Sequence, residues 1–226
     1  MTNTYCDLAP EGRVHRRVYT DPEVFNSEME RIFSCAWIFV AHESQLTEPG
    51  QYVTAHIGER PMIVARHTDG EVYVFANRCT HRGMKLCSAQ RGSKKRFVCP
   101  YHGWAFATDG SLIGIPHGKG YNGKIDPTDP ALSLDRPARI ENYRGFIFAS
   151  KAKEGPSLTD YLGPMTRAFD NMVDRAPGGK IEVMGGGFRQ RYKGNWKLHM
   201  ENANDLMHAS IVHASSVDAA QAVADD

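Results

Sequence analysis

Two short motifs decide how this chain folds: CTHRGMKL at residues 79–86 and CPYHGWAF at residues 99–106. Each follows a predicted strand, begins with a cysteine and carries a histidine two or three residues later. The four side chains are Cys79, His81, Cys99 and His102. Thiolate favours zinc or iron–sulfur and imidazole accepts either, so the set predicts a thiophilic metal centre. Zinc stays open here, although C-x-H followed by C-x2-H differs from the usual zinc-finger order.

The region around the motifs is typical of a small antiparallel β domain. Asp69-Gly70 and Asp109-Gly110 predict hairpin turns, because both dipeptides tolerate positive φ. Predicted strands cover 51–57, 62–66, 71–77, 96–99, 104–107, 111–115, 138–143 and 146–149. Helical periodicity is predicted from Asp21-Pro22, after Lys151 with Ser157 as a cap, and over 196–208, and two further strands are predicted at 180–184 and 188–192.

These elements predict an α+β fold in three parts. A helical segment is expected over residues 1–43, the β domain over 44–152, and the start of a second domain over 153–226. The composition, 41% hydrophobic and 23% charged, is typical of a folded globular chain.

Charge and cysteine usage exclude other classes. A net charge of +1 gives no strong basic field, so neither nucleic acid nor a membrane surface is an expected partner. No apolar run is long enough to cross a bilayer, and the amino terminus lacks the apolar core of a secretory signal, which predicts a cytoplasmic location.

Five cysteines cannot all pair. We therefore expect Cys6, Cys35 and Cys87 to be buried free thiols.

A second group of chemistry-bearing residues lies in NWKLHMENANDLMHASIVH, residues 195–213. Asp205 and His208 stand three residues apart, which places them on one helix face. His213 lies five residues further on, where an undistorted helix would rotate it away. Both imidazoles reach one ion only if the helix ends, bulges or turns between Ala209 and Val212. Ordinary helix histidines are the alternative.

Together the motifs resemble the large (alpha) subunits of Rieske non-haem iron oxygenases that hydroxylate aromatic rings. The resemblance covers about residues 18–213. It implies that Cys79 and Cys99 hold one iron of a Rieske [2Fe–2S] cluster, and that His81 and His102 hold the other. The domain after the Rieske domain would be the start of a helix-grip catalytic domain, an antiparallel sheet with helices.

At the second motif, the resemblance implies that His208 and His213 bind a mononuclear non-haem Fe(II) in a two-histidine, one-carboxylate triad. Asp205 would be catalytic without being a ligand. In the family this aspartate links the iron site of one subunit to a Rieske histidine, here His102, of the next. The protein would then be a homotrimer or a hetero-oligomer with a small subunit.

The two Cys-His motifs resemble the oxygenase branch of Rieske proteins more than the respiratory branch. Respiratory Rieske proteins carry a disulfide across the two ligand loops and a serine after the second His-Gly pair. This chain has Met84 and Tyr101 where those cysteines would stand, and Trp104 where the serine would. Without the disulfide and the serine, fewer hydrogen bonds reach the cluster sulfurs, which implies a reduction potential toward the low end of the Rieske range. Such a cluster is suited to accept electrons derived from NADH.

The implied function is that of an oxygenase component. Electrons from NADH would arrive through a ferredoxin, a flavin reductase or both, and O₂ would be activated at the mononuclear iron. An aromatic substrate would be dioxygenated, monooxygenated or demethylated. A Rieske ferredoxin-type electron carrier is the alternative, although such carriers lack the second motif, and a zinc-stabilised binding module is a third.

One feature departs from the family pattern. The third iron ligand, an aspartate, belongs far downstream of the second histidine, and family subunits are about twice this length. Here the later carboxylates are Asp218, Asp225 and Asp226, and none has a matching context. We therefore expect a fragment that lacks most of its catalytic domain, and we expect the 226-residue chain alone to be inactive.

Overall fold

The computed structural model describes residues 5–122, 124–184 and 192–224. Over these residues the fold is α+β with antiparallel sheets, as the sequence predicts. The strands are β1 (Ile38–His42), β2 (Gln51–Ile57), β3 (Arg60–Arg66), β4 (Val72–Ala76), β5 (Arg91–Ser93), β6 (Phe97–Val98), β7 (Ala105–Phe106), β8 (Leu112–Gly114), β9 (Arg139–Tyr143) and β10 (Phe146–Ser150). The α-helices are α1 (Arg17–Thr20), α2 (Pro22–Glu28), α3 (Leu158–Leu162), α4 (Thr166–Asp174), α5 (Trp196–Asn204), α6 (Ala209–Val212) and α7 (Ala214–Ala224).

The sheet β4–β3–β2–β5 separates two apolar cores. Strand β3 is buried on both faces, and the alternation of side chains along a strand divides its residues between the cores. Ile63 and Ala65 pack with the two motif cysteines and Trp104. Met62 and Val64 pack on the opposite side with residues of the sheet β1–β10–β9. The two Cys-His motifs therefore pack against this central sheet.

A third sheet, β6–β7–β8, holds the second Cys-His loop, residues 99–104, against the central sheet. Phe97 of β6 pairs in register with Phe106 of β7, and both side chains are fully buried. The predicted turn at Asp109-Gly110 joins β7 to β8: Asp109 Oδ1 accepts from the Ser111 N–H at 2.9 Å, and Gly110 has φ +91°. The turn at Asp69-Gly70, between β3 and β4, is built in the same way.

Some other sequence predictions are confirmed, and others need correction. Asp21 Oδ1 caps α2 by accepting from the Glu23 N–H at 2.9 Å, but the helix ends at Glu28 and continues as a π-type turn over Met29–Phe33. Strands β1 and β5 were not predicted. Residues 180–184 form no strand, and the predicted strand at 188–192 lies almost entirely outside the described residues. Cys87 is buried as predicted, whereas Cys6 and Cys35 are exposed.

The chain divides into two compact units, Glu28–Gly185 and Met1–Ser27 with Gly186–Asp226. The first contains the three sheets and both Cys-His motifs, and the second contains the Asp205, His208 and His213 motif. The boundaries predicted from the sequence, at residues 43 and 152, stay a prediction. Within the described ranges, no helix is both long enough and apolar enough to cross a membrane.

Candidate metal centres

The two Cys-His loops, residues 79–84 and 99–104, share one backbone hydrogen-bond pattern. In each loop the cysteine N–H donates to the carbonyl five residues on, and the N–H of the glycine four residues on donates back to the cysteine carbonyl, at 2.8–3.0 Å. The pairs are Cys79–Met84 and Gly83–Cys79 in the first loop, and Cys99–Trp104 and Gly103–Cys99 in the second. The loops therefore present their side chains on equivalent backbone frames.

Each loop requires glycine four residues after its cysteine, and the sequence analysis did not identify these two glycines. Gly83 and Gly103 have φ +74° and +72°, where a side chain is strained. A Cβ on Gly103 would lie 2.8 Å from Pro116 Cγ, and one on Gly83 would lie 2.7 Å from Arg78 Nε. The signal was present in the sequence, because each glycine follows its motif cysteine by four residues.

Replacing Gly103 with alanine is expected to lower the free energy of unfolding by about 2 kcal/mol or more, from the left-handed backbone and the contact with Pro116. Denaturant unfolding at matched iron content measures this change. Gly120→Ala is the control, because no heavy atom lies within 4 Å of its added Cβ and its φ is not positive. A change in Gly103→Ala no larger than in the control would show that the loop tolerates a side chain there.

The structure brings together the four side chains predicted for the first centre. Cys79 and Cys99 are 2% and 3% exposed, in one apolar core. Burial raises the pKa of the Cys79 thiol, and the neighbouring Cys99 acts in the same direction. The His81 and His102 rings lie edge to face, with centroids 4.7 Å apart. The two thiols are thus inside the core, and the two imidazoles are partly exposed at its edge.

His81 carries the feature that points most directly to a metal. Its Nδ1 is buried and has no hydrogen-bond partner among the described residues. Burial lowers the pKa of His81, and the positive charges of His102 and Arg82 lower it further, so the neutral imidazole that binds metals is favoured. A buried polar atom without a partner is costly, and metal coordination would satisfy it.

The donor set fits a Rieske cluster better than a zinc ion. A structural zinc site needs four ligands around one ion, yet in the described part of the chain no three His, Cys, Asp or Glu side chains are close enough to hold a single metal ion. In a Rieske cluster each iron takes only two protein ligands, cysteines on one and histidines on the other. Buried thiols and edge imidazoles match that division.

The first loop also borders a cleft of about 980 Å³ with a positive lining. Its six basic side chains face only two carboxylates, those of Glu59 and Asp135. The basic residues are Arg60, Arg78, Arg82, Arg136, Lys151 and Lys153. The edge of the domain beside His81 is therefore positively charged, although the whole chain carries a net charge of only +1.

The structure corrects the prediction for the second motif. Helix α5 ends at Asn204 and not at His208, so Asp205 and His208 do not share a helix face. Asp205 has extended backbone angles, and its Oδ1 accepts from the N–H of Met207 at 2.8 Å and of His208 at 3.4 Å. A short aspartate side chain that bonds the following amides ends one helix and caps the next. This break at 205–208 was not predicted, whereas α6 ends at Val212, within the range in which the sequence analysis expected a helix end.

The two predicted histidines lie close together at the two ends of one short helix. His208 and His213 flank the short helix α6, with ring centroids 5.5 Å apart. His208 Nδ1 is buried without a hydrogen bond among the described residues, and Asp205 Oδ2 lies 3.6 Å from it, beyond hydrogen-bonding distance. Two neighbouring imidazoles fit ferrous iron. No third ligand joins them within the described residues, since Asp218 lies in α7 and Asp225 and Asp226 lie outside those residues.

Residues 36–127, which carry both paired loops, match the Rieske [2Fe-2S] domain family. Toluate 1,2-dioxygenase subunit alpha of Pseudomonas putida is 40% identical over 203 residues, which cover 89% of this chain and 44% of the relative. Anthranilate 1,2-dioxygenase large subunit of Acinetobacter baylyi is 39% identical over 210 residues, with 92% and 44% covered.

A solved structure agrees with these relatives. Naphthalene 1,2-dioxygenase from Rhodococcus sp. bound to indole matches with a TM-score of 0.79 and 40% identity, over 88% of this chain and 45% of that chain. The chain is thus similar in sequence and in fold to the large alpha subunits of such dioxygenases. It spans somewhat less than half the length of the relatives it matches.

Proposed function

We propose that this chain belongs to the oxygenase component of a Rieske-type hydroxylating system. Electrons derived from NADH reach it through a ferredoxin, a flavin reductase or both, and O₂ is used to hydroxylate an aromatic compound. One observation carries the proposal: two matched loops present two buried thiols and two imidazoles, and the buried Nδ1 of His81 has no hydrogen-bond partner in the part of the chain that the structure describes.

In this proposal Cys79, His81, Cys99 and His102 hold the cluster, which supplies one-electron transfer when bound. The two cysteines keep their half of the site inside the apolar core, away from water. The two neutral imidazoles add no negative charge, which raises the potential above that of a four-cysteine site. Because His81 and His102 lie at the edge of the core, electron exchange with a partner takes place on the histidine side.

His208 and His213 are proposed to hold the mononuclear Fe(II), with the third ligand not assigned. Asp205 is proposed to connect His208 to His102 of a neighbouring subunit, so that the active assembly is a homotrimer or a hetero-oligomer with a small subunit. The 3.6 Å separation of Asp205 Oδ2 and His208 Nδ1 supports this role, because a small shift would make a hydrogen bond. The paired histidines also argue against a simple ferredoxin-type carrier, which needs no second metal motif.

The test of the proposal is the reduction potential of His81→Cys. A thiolate adds a negative charge to the cluster, so the variant should keep a cluster and lower its potential by about 100 mV or more, toward that of four-cysteine clusters. A potentiometric titration followed by EPR measures the change. The wild-type chain, purified without oxygen, should show the low-average-g signal of a reduced Rieske centre.

The matched control is His67→Cys, since His67 lies in the same domain, bonded to Thr108 at 2.6 Å, and outside both loops. It should leave the potential unchanged. An unchanged potential in His81→Cys would remove His81 from the ligand set. A folded wild-type chain that binds zinc and gives no EPR signal on reduction would contradict the whole proposal.

A further inference from the structure

Four rings at the cluster site lie in contact one after another. The Trp104 indole is parallel to the His81 ring, with centroids 4.8 Å apart and planes 4° apart. His81 contacts His102 at 4.7 Å, and Tyr101 packs against His102 at 3.8 Å with planes 32° apart. Trp104 and Tyr101, here called the aromatic bracket, are thus the outer members of a series whose inner members are the two imidazoles.

Trp104 contacts both ligand loops. Its carbonyl accepts the Cys99 N–H at 2.8 Å and closes the second loop, while its indole stacks on His81 of the first. The residue is 3% exposed, in the apolar core that contains Cys79 and Cys99. A large ring in a close-packed core has little freedom to move. Trp104 therefore joins the two loops through a rigid contact.

This contact replaces what usually orients a metal-binding histidine. The ring of such a histidine is normally fixed by a hydrogen bond to its second nitrogen. Among the described residues, no group hydrogen-bonds the His81 ring, so the stacked indole is the contact that sets the direction of its nitrogens.

The loops also have no covalent tie. Respiratory Rieske proteins join their ligand loops by a disulfide, whereas the equivalent positions here are Met84 and Tyr101, and the chain's cysteines are free. We propose that Trp104 and Tyr101 are positioning residues that hold His81 and His102 for cluster binding, in the role that the disulfide has elsewhere. This inference rests on the proposed function, because it takes both histidines as ligands.

The test compares Trp104→Leu with Trp104→Phe in the 226-residue chain. The leucine variant should assemble a cluster but release iron to a chelator about tenfold faster or more, the usual range when a group that orients a metal-binding histidine is lost. Its EPR lines should broaden, because the imidazoles take more than one orientation. Trp104→Phe keeps a ring on His81 and should restore most of the lifetime and the line width. Tyr101→Ala should act in the same direction with a smaller effect.

Phe106→Leu is the matched control, since Phe106 is fully buried in the same core and stacks on neither imidazole. It should lower stability with little change in the EPR lines or in iron release. The positioning role is overturned if Trp104→Leu keeps the wild-type EPR spectrum and cluster lifetime. It is also overturned if Phe106→Leu loses iron as quickly as Trp104→Leu does. A wild-type chain without any iron–sulfur cluster would instead overturn the proposed function, and with it the positioning role of Trp104 and Tyr101.

Discussion

Cys99→Ala is expected to leave the chain without an iron–sulfur cluster. Each iron of a [2Fe–2S] centre needs two protein ligands besides the bridging sulfides, and the alanine removes one of the two thiolates. Because Cys99 is 3% exposed, water has little access to the open position. Iron and acid-labile sulfide should fall from about two of each per chain to near zero. The absorbance of the cluster, read on anaerobically reconstituted protein, should disappear with them.

Cys87→Ala is a close control for this prediction. Cys87 is also 3% exposed, and it lies in the same apolar core as Cys99. Its backbone is held by Asn77, whose Oδ1 accepts from the Cys87 N–H at 2.9 Å and whose Nδ2 donates to the Cys87 carbonyl at 2.7 Å. Since neither bond uses the thiol, this variant should keep a full cluster. Loss of the cluster from Cys87→Ala, or its retention in Cys99→Ala, would contradict the assignment of the thiolates.

The β domain could largely be predicted from the sequence because its strands alternate and its turns carry Asp-Gly. The strands that were missed lack these signals. The apolar residues of β1 (Ile38–His42) follow directly on a helical pattern, so periodicity alone did not separate strand from helix. All residues of β5 (Arg91–Ser93) are exposed, and the strand exists because it pairs with Gln51–Val53 of β2.

At the candidate centres, residue types could be predicted and their surroundings could not. Cysteine and histidine spacing is a local property, and it pointed to the four side chains that the structure brings together. The stacking of Trp104 on His81 joins residues of two loops, so only the fold reveals it. In residues 195–213, the helix end at Val212 was predicted but the earlier break at 205–208 was missed, because periodicity gives no weight to a carboxylate that caps from within the helical pattern, as Asp205 does.

Asp205→Asn is expected to slow catalysis strongly in the assembled oxygenase while leaving both metal centres in place. Asparagine keeps an oxygen where Asp205 Oδ1 accepts from the Met207 N–H, and it caps helices about as well as aspartate. The turn between α5 and α6 should therefore survive. What is lost is the negative charge beside His208, which is proposed to orient the imidazole as carboxylates beside metal-binding histidines do. Product per reduced cluster in a single turnover should fall by about tenfold or more.

The structure also offers a purely local role for Asp205, and a second variant separates the two. Asp205→Ala removes the cap together with the charge, at a cost of about 1 kcal/mol in helix stability. If Asp205 only shapes the turn, the alanine variant should lose iron, and the asparagine variant should oxidise its reduced cluster with a normal yield of product. If Asp205 connects the centres, both variants fail in single turnover, although the asparagine protein holds its iron.

Asp218→Asn, in the neighbouring helix α7, removes an equal charge and should behave as wild type. Because the asparagine variant differs from wild type in charge and not in shape, its yield with full metal content measures the carboxylate's contribution to electron transfer.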